Sequence, residues 1–351
     1  MASTLLTLAI VLVSTVASAQ TNVLRLALLP SLPVTSQVHS VAHLRHPQVV
    51  GFASDSGLLL WATAAQGRSH GVPALYELDF KSGRLSRLVS QQRSAEIPMA
   101  TLSGPWLAWE QASSNTLFCR NLRSDIVRRI ANYGVLGTIV QNILGLAFYG
   151  DDLYWLGTSI YQGSLVTAVY RLDPSTGHVD RVLTYDAESS GKVIFNMSVS
   201  DGIAYLSISN SPNPYDTGAA GTIVALNLSD YRVRQVMSLE HAAAFVENYG
   251  QYLAVVYNAS KTPNGPSNPK PYPLIVYNLQ TDAQTLRVQL DTTIMLPAMN
   301  NRYVVADALG PKTLVVNYRT GTISGLAASW VTLHGRWLSW GSGTTVYWRQ
   351  A

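Results

Sequence analysis

Only one cysteine, Cys119, occurs in the 351 residues, so no intramolecular disulfide can staple this chain. It stands in the strand-like run "NTLFCRNL", where it reads as a small buried hydrophobe. Charge is scarce too. Asp, Glu, Lys and Arg make up 13% of the chain against the usual ~25%. That suits a sheet-rich protein whose surface is polar through Ser, Thr, Asn and Gln, and it argues against disorder. The 24 Lys and Arg residues slightly outnumber the 20 Asp and Glu, but they are dispersed. The basic stripe with stacking aromatics that nucleic acid requires is missing. No nucleic-acid partner is expected.

The apolar stretch from Leu5 to Val16 would span roughly 18 Å as a helix, short of the ~30 Å core of a bilayer. Ala17-Ser18-Ala19 follows as a small-x-small cleavage site, with Gln20 next. Residues 1–19 therefore read as a secretory signal peptide, although its first residues carry neither Lys nor Arg. No cysteine follows the apolar stretch, which excludes a bacterial lipoprotein. The expectation is a secreted protein, extracellular or periplasmic, with no membrane insertion after cleavage. Secretion without disulfides is ordinary for a domain with a large core.

Beyond residue 20 one block recurs about seven times. A β-run ends on Trp or another apolar residue, a loop follows, then a "Leu-Tyr-x-Leu-Asp"-like run, a tight turn and a short run often carrying Arg. The clearest copies are "LYELDFKSGRLSRLV" (75–89), "VYRLDPSTGHVDRVL" (169–183) and "IVYNLQTDAQTLRV" (275–288). With Trp61, Trp109, Trp155, Leu206, Val255, Ala306 and Trp340 as anchors, the interval is about 50 residues, and about 34 at the end, the range of four-stranded blades. Turn residues precede most anchors ("SDSG", "GDD", "SDG", "NNR", "HGR"), and "KSG", "STG" and "RTG" separate third and fourth strands. The pattern predicts one all-β domain over 20–351, a seven-bladed β-propeller of four-stranded antiparallel blades.

The final repeat stops at Ala351 with three strands, so its outer strand must come from the other end of the chain. "NVLRLAL" (22–28) matches the fourth strands "VDRV" and "LSRL". The expectation is a ring closed by an N-terminal strand completing the last blade, with Val23–Leu28 antiparallel to Thr345–Arg349.

The "LYELDFKSG" and "VYRLDPSTG" runs resemble the secreted TolB-like and related WD-like propellers, in which "LYxLDxxTG" marks third strand, turn and fourth strand. The resemblance covers residues 22–351 and implies a six- or seven-bladed ring, often with a protein- or ligand-binding role. The Gly-His…Trp-Asp pair of true WD repeats, the kelch double Gly, the sialidase box and the quinoprotein docking motif are absent from the sequence. No functional residue carries over from those families.

Function in a propeller lives in its loops. Loops between blades and between second and third strands share one face, and the long ones are 30–48, 62–74, 156–168, 207–221 and 257–273. Thirteen residues before the anchors stand Gln48, Glu96, Asn142, Val193, Ala242, Thr293 and Ala327. The oxygens of Gln48, Glu96, Asn142 and Thr293, converging on a channel mouth, would suit Ca²⁺ or a polyol. A single carboxylate among them is a poor acid–base pair, and no catalytic residue is assigned. His39, His43 and His46 are spaced for one helix face, but Pro33 and Pro47 argue for extended chain, in which His46 points away from the other two. With His70 and His241 they read as loop histidines rather than as a metal site, and no metal is assigned. Of the sequons, Asn196 and Asn227 fall in predicted strands and Asn258 in a loop. Two Pro-rich flaps, 209–221 and 258–273, offer Tyr215 and Tyr272 as aromatic anchors. The favoured expectation is a non-enzymatic module binding a protein or glycan on the long-loop face, without a cofactor. The alternative is a lactonase- or lyase-like enzyme with a cation or polar-ligand site at the channel mouth.

Overall fold

The computed structural model describes residues 39–41, 44–54, 57–64, 73–90, 99–111, 116–130, 139–212, 219–241, 244–257, 272–290, 294–308, 313–342 and 345–351. They form seven four-stranded antiparallel sheets. In six of them the four strands follow one another in chain order. Blade 1 runs through Leu44–Ser54, Gly57–Ala64, Pro73–Asp79 and Leu85–Ser90. The seven expected anchors all lie in second strands and all are buried. First strands contact one another from blade to blade around the whole ring, so they line its centre.

The ring closes at blade 7 through an N-terminal strand, as expected, but a different one. His39–Val41 pairs antiparallel with Thr345–Gln350, His39 opposite Trp348 and Val41 opposite Val346. That edge is therefore not taken by Val23–Leu28, and residues 22–28 lie outside the described residues. The sequence match to fourth strands was misleading because those strands are exposed and weakly patterned. His39 instead stacks on the buried Trp348, with ring centroids 5.5 Å apart.

Each interface between neighbouring blades holds one apolar cluster, and strand alternation decides which residues enter it. Leu58, Leu60 and Ala62 pack against Trp337, Val346 and Trp348 of blade 7. Leu59 and Trp61, on the other face of the same strand, pack against Leu107 and Trp109 of blade 2. Leu58, Leu59 and Leu60 are all fully buried, each worth about 1.5–3 kcal/mol of transfer free energy. Cys119 is buried in the same way, and burial pushes its thiol up to about 12.

The "LDxxTG" signature has a structural cause. In six blades the third strand ends on Asp79, Asn121, Asp173, Asn227, Asn278 or Asn317. The side-chain oxygen of each accepts backbone N–H groups two or three residues on, at 2.7–3.3 Å. These are Asx turns. Hydrogen bonds from Ser175 and Thr176 hold the Asp173 carboxyl well below its ordinary range. In the Asp79, Asp173 and Asn317 turns a glycine (Gly83, Gly177, Gly321) takes the positive φ that follows, 70°, 83° and 73°. The repeated polar residues thus satisfy a turn rather than forming a site. Two of the three sequon asparagines are similarly engaged. Asn227 is one of the turn residues, and Asn196 Oδ1 accepts the Val246 N–H at 2.9 Å across the blade 4–5 boundary.

One expected long loop is ordered strand. In blade 3, Asp152–Tyr161 and Ser164–Asp173 form a continuous hairpin around Gln162 and Gly163, so 156–168 is largely sheet. Residues 39–41 and 44–48 of the expected 30–48 loop are strand as well. Thr158, Ile160 and Tyr161 on one strand of the hairpin and Val166, Thr167, Val169 and Tyr170 on the other are β-branched or aromatic, which favours pairing over a loop.

Candidate functional site

Each first strand turns into the second through a connection of two or three residues, which fixes the register between them. The residue opposite the position just before each anchor therefore occupies the same height in every blade. Around the ring these are Val49, Thr101, Ala147, Ser198, Glu247, Ala298 and Thr332. All seven line one cavity of about 1210 Å³ at the ring centre. The same cavity reaches Ser103 at the end of a first strand and Asp201, Gly250 and Gly335 in the turns between first and second strands, so it opens on the short-turn face.

Glu247 is the one charged residue in this layer. It stands in the first strand of blade 5 (Ala244–Tyr249), opposite Ala254. Its side chain is partly covered and lies deep in the ring. Desolvation pushes its carboxyl up to about 7, while a hydrogen bond with Ser198 acts in the opposite direction. The Ser198 hydroxyl also accepts the Asn248 N–H at 3.3 Å. Asn248 is 5% exposed, and its Oδ1 is buried without a hydrogen-bond partner. It lines the same cavity, and such an orphaned acceptor costs about 1–3 kcal/mol. The other charged groups on the cavity wall are Lys81, Asp201 and Arg336, with His334 stacked on Phe52 at 4.1 Å.

A carboxyl that titrates near neutrality in a partly apolar channel can hold or release a proton and can pair with a cation. Among the described residues no cluster of three or more His, Cys, Asp or Glu is placed to hold a metal ion. The raised carboxyl also sets a pH dependence. The native state holds the Glu247 proton up to about pH 7, whereas the unfolded chain loses it near 4.5, so stability from this group falls as pH rises between those values. At pH 8 the Glu247→Gln protein is expected to be more stable than wild type by roughly 1–3 kcal/mol, and at pH 4 the two should match. Urea titrations at the two pH values measure the difference; a gain of equal size at both would rule out the carboxyl as its source.

The expected channel-mouth residues are only partly placed. Gln48 stands opposite Trp61, whereas the backbone of Asn142 stands opposite Thr158, three positions beyond its anchor. β-Bulges in the first strands of blades 1 and 3 separate the two heights. Glu96, Thr293 and Tyr215 lie outside the described residues, as do His43 and His70. The Tyr272 backbone begins the third strand of blade 5, opposite Leu290. His39 and His46 belong to strands of different blades, and His241 packs edge-on against Tyr257. Sequence reasoning missed Glu247 because it counted thirteen residues back from each anchor, through the bulges. A count of eight reaches Thr101, Ala147, Ser198, Glu247, Ala298 and Thr332 in six blades.

No protein-family model matches the chain, and no curated protein matches it. Solved structures do. An oligogalacturonate lyase in complex with manganese aligns with a TM-score of 0.55 at 13% identity, covering 89% of this chain and 90% of that one. A chain described as the mitotic checkpoint complex aligns at 0.54 and 12%, covering 91% and 94%. BamB from Moraxella catarrhalis aligns at 0.48 and 16%, covering 86% and 82%. At these identities the likeness is one of fold alone.

Proposed function

We propose that this protein is a secreted, non-enzymatic binding module that takes a protein or glycan partner on its long-loop face. The observation that carries the reading is the asymmetry between the two faces. On one face, every connection between first and second strands and between third and fourth strands is short, and the third-to-fourth turns of six blades are closed by Asx hydrogen bonds. At the opposite ends of the strands, the second and third strands of blades 4 and 5 are separated in sequence by the long segments 210–220 and 258–271. The hairpin of blade 3 turns at that same end, with Ile160 exposed near its tip. Long connections on a rigid scaffold are where binding residues concentrate; the first of these carries Tyr215 at its middle, and the second leads directly into Tyr272.

The test is retention of partners from the native secretome by immobilised protein. Tyr215→Ala and Tyr272→Ala should each weaken capture by about fivefold or more, the signature of an aromatic anchor worth over ~1 kcal/mol. Glu96→Gln should leave capture unchanged. If Glu96→Gln abolishes it while both tyrosine variants bind normally, the contact lies at the channel mouth and the loop-face reading fails.

A further inference from the structure

The central channel holds a feature that loop-face binding does not use. Of the seven register-equivalent residues around it, Thr101, Ser198 and Thr332 carry hydroxyls and Glu247 carries the layer's one carboxyl, while Ala147 and Ala298 leave space between them. We propose that this layer is a binding site for the primary ammonium group of a small ligand that enters from the short-turn face.

The argument begins with an uncompensated charge. The strands flanking blade 5's first strand are Val193–Ser200 of blade 4 and Ile294–Met299 of blade 6. Neither contains a titratable residue. The second strands packed nearby add phenols, Tyr205, Tyr252 and Tyr257, and no cation. The remaining charged or titratable groups on the cavity wall are Lys81, Asp201, His334 and Arg336, with Tyr249 also lining it. All five lie in or next to turns of the short-turn face. Among the described residues an ionised Glu247 thus has no cation at its own height, and an ionised group away from bulk water favours a counter-charge there.

The shape of the acceptor set selects the cation. Oxygens spread around a ring match the three rotatable donors of an ammonium better than the planar fork of a guanidinium. A divalent metal ion would be left undercharged by one carboxylate. Directly above and below the layer the wall is largely apolar, with Leu146, Met197 and Pro297 on one side and Leu102, Val199 and Met299 beside Asn248 on the other. An alkyl stem can pack there.

The probe is n-butylammonium, with n-butanol as the neutral analogue, titrated calorimetrically into the full chain. At pH 8 one saturable site is expected, and at pH 5 binding should weaken at least tenfold as Glu247 takes up its proton. Glu247→Gln should lose binding, and Ser198→Ala or Thr332→Val should weaken it several-fold with an unchanged circular-dichroism spectrum. If Glu247→Gln does not fold, the two hydroxyl variants and the pH profile carry the test. Equal binding of n-butanol, unchanged affinity in folded Glu247→Gln, or no saturable binding at pH 8 would each overturn the assignment. The loop-face reading is untouched by any of these outcomes, because the layer tested here contains none of its variants.

Discussion

Trp348→Ala is expected to lower stability by about 3–5 kcal/mol, the range of large-to-small aromatic substitutions in cores. Trp348 is 2% exposed in the third strand of blade 7. Its Nε1 donates to the Phe80 carbonyl of blade 1 at 3.0 Å, and its ring packs on Phe80 with centroids 6.1 Å apart. His39, in the closing strand, stacks on the same indole. One side chain therefore joins the last blade to the first and seats the strand that closes the ring. Removing it opens a cavity at the seam and strands a buried carbonyl. The loss should appear in the denaturant midpoint, with protease cleavage beside His39–Val41 rising before the global transition. Trp348→Phe, which keeps the ring but not the hydrogen bond, should recover part of the loss. A cost below ~1 kcal/mol for the alanine variant would show that closure rests on the strand pairing alone.

The second large effect is expected at Gly51. Its backbone lies so close to blade 2 that an added Cβ would stand 1.6 Å from the Ala100 carbonyl oxygen and 2.7 Å from its carbon. Both obstacles are backbone, and the two inner strands are already in contact, so no side-chain rotation can relieve the overlap. Gly51→Ala should exceed the 1–3 kcal/mol usual for overpacking, because the inner strands of blades 1 and 2 must move apart. Gly104→Ala is the control. Gly104 has φ of 55° with nothing within 4 Å of the added carbon, so it tests backbone strain without a clash and should cost only about 1–2 kcal/mol. Thermal or chemical denaturation of the pair separates the two causes. Equal losses would mean that the inner strands of blades 1 and 2 relax freely.

Much of the architecture was legible in the chain. Seven copies of a strand–turn pattern announced seven blades, and all seven anchors fell in second strands. The third-strand motif announced its turn, and its Asp and Asn side chains are the acceptors that close it. The closing strand was legible as a need and not as an address: the three-stranded last repeat required a fourth strand, but His39–Val41 carries too short a pattern to be recognised. Among the proposed site residues, Gln48 and Asn142 were displaced in height by bulges that extra residues create without a clear mark in composition.

Blade number, strand order and the burial of alternate residues are determined by the sequence itself, because each depends on contacts between residues near in the chain. Hairpins of short turn fix their own register, and alternation then sorts side chains between faces. The tertiary structure alone decided which segment meets Trp348, where Gly51 abuts Ala100, and that Glu247 shares a layer with hydroxyls from three other blades. Those are relations between residues far apart in the chain, set by ring closure and by the packing of neighbouring blades, and no local pattern encodes them.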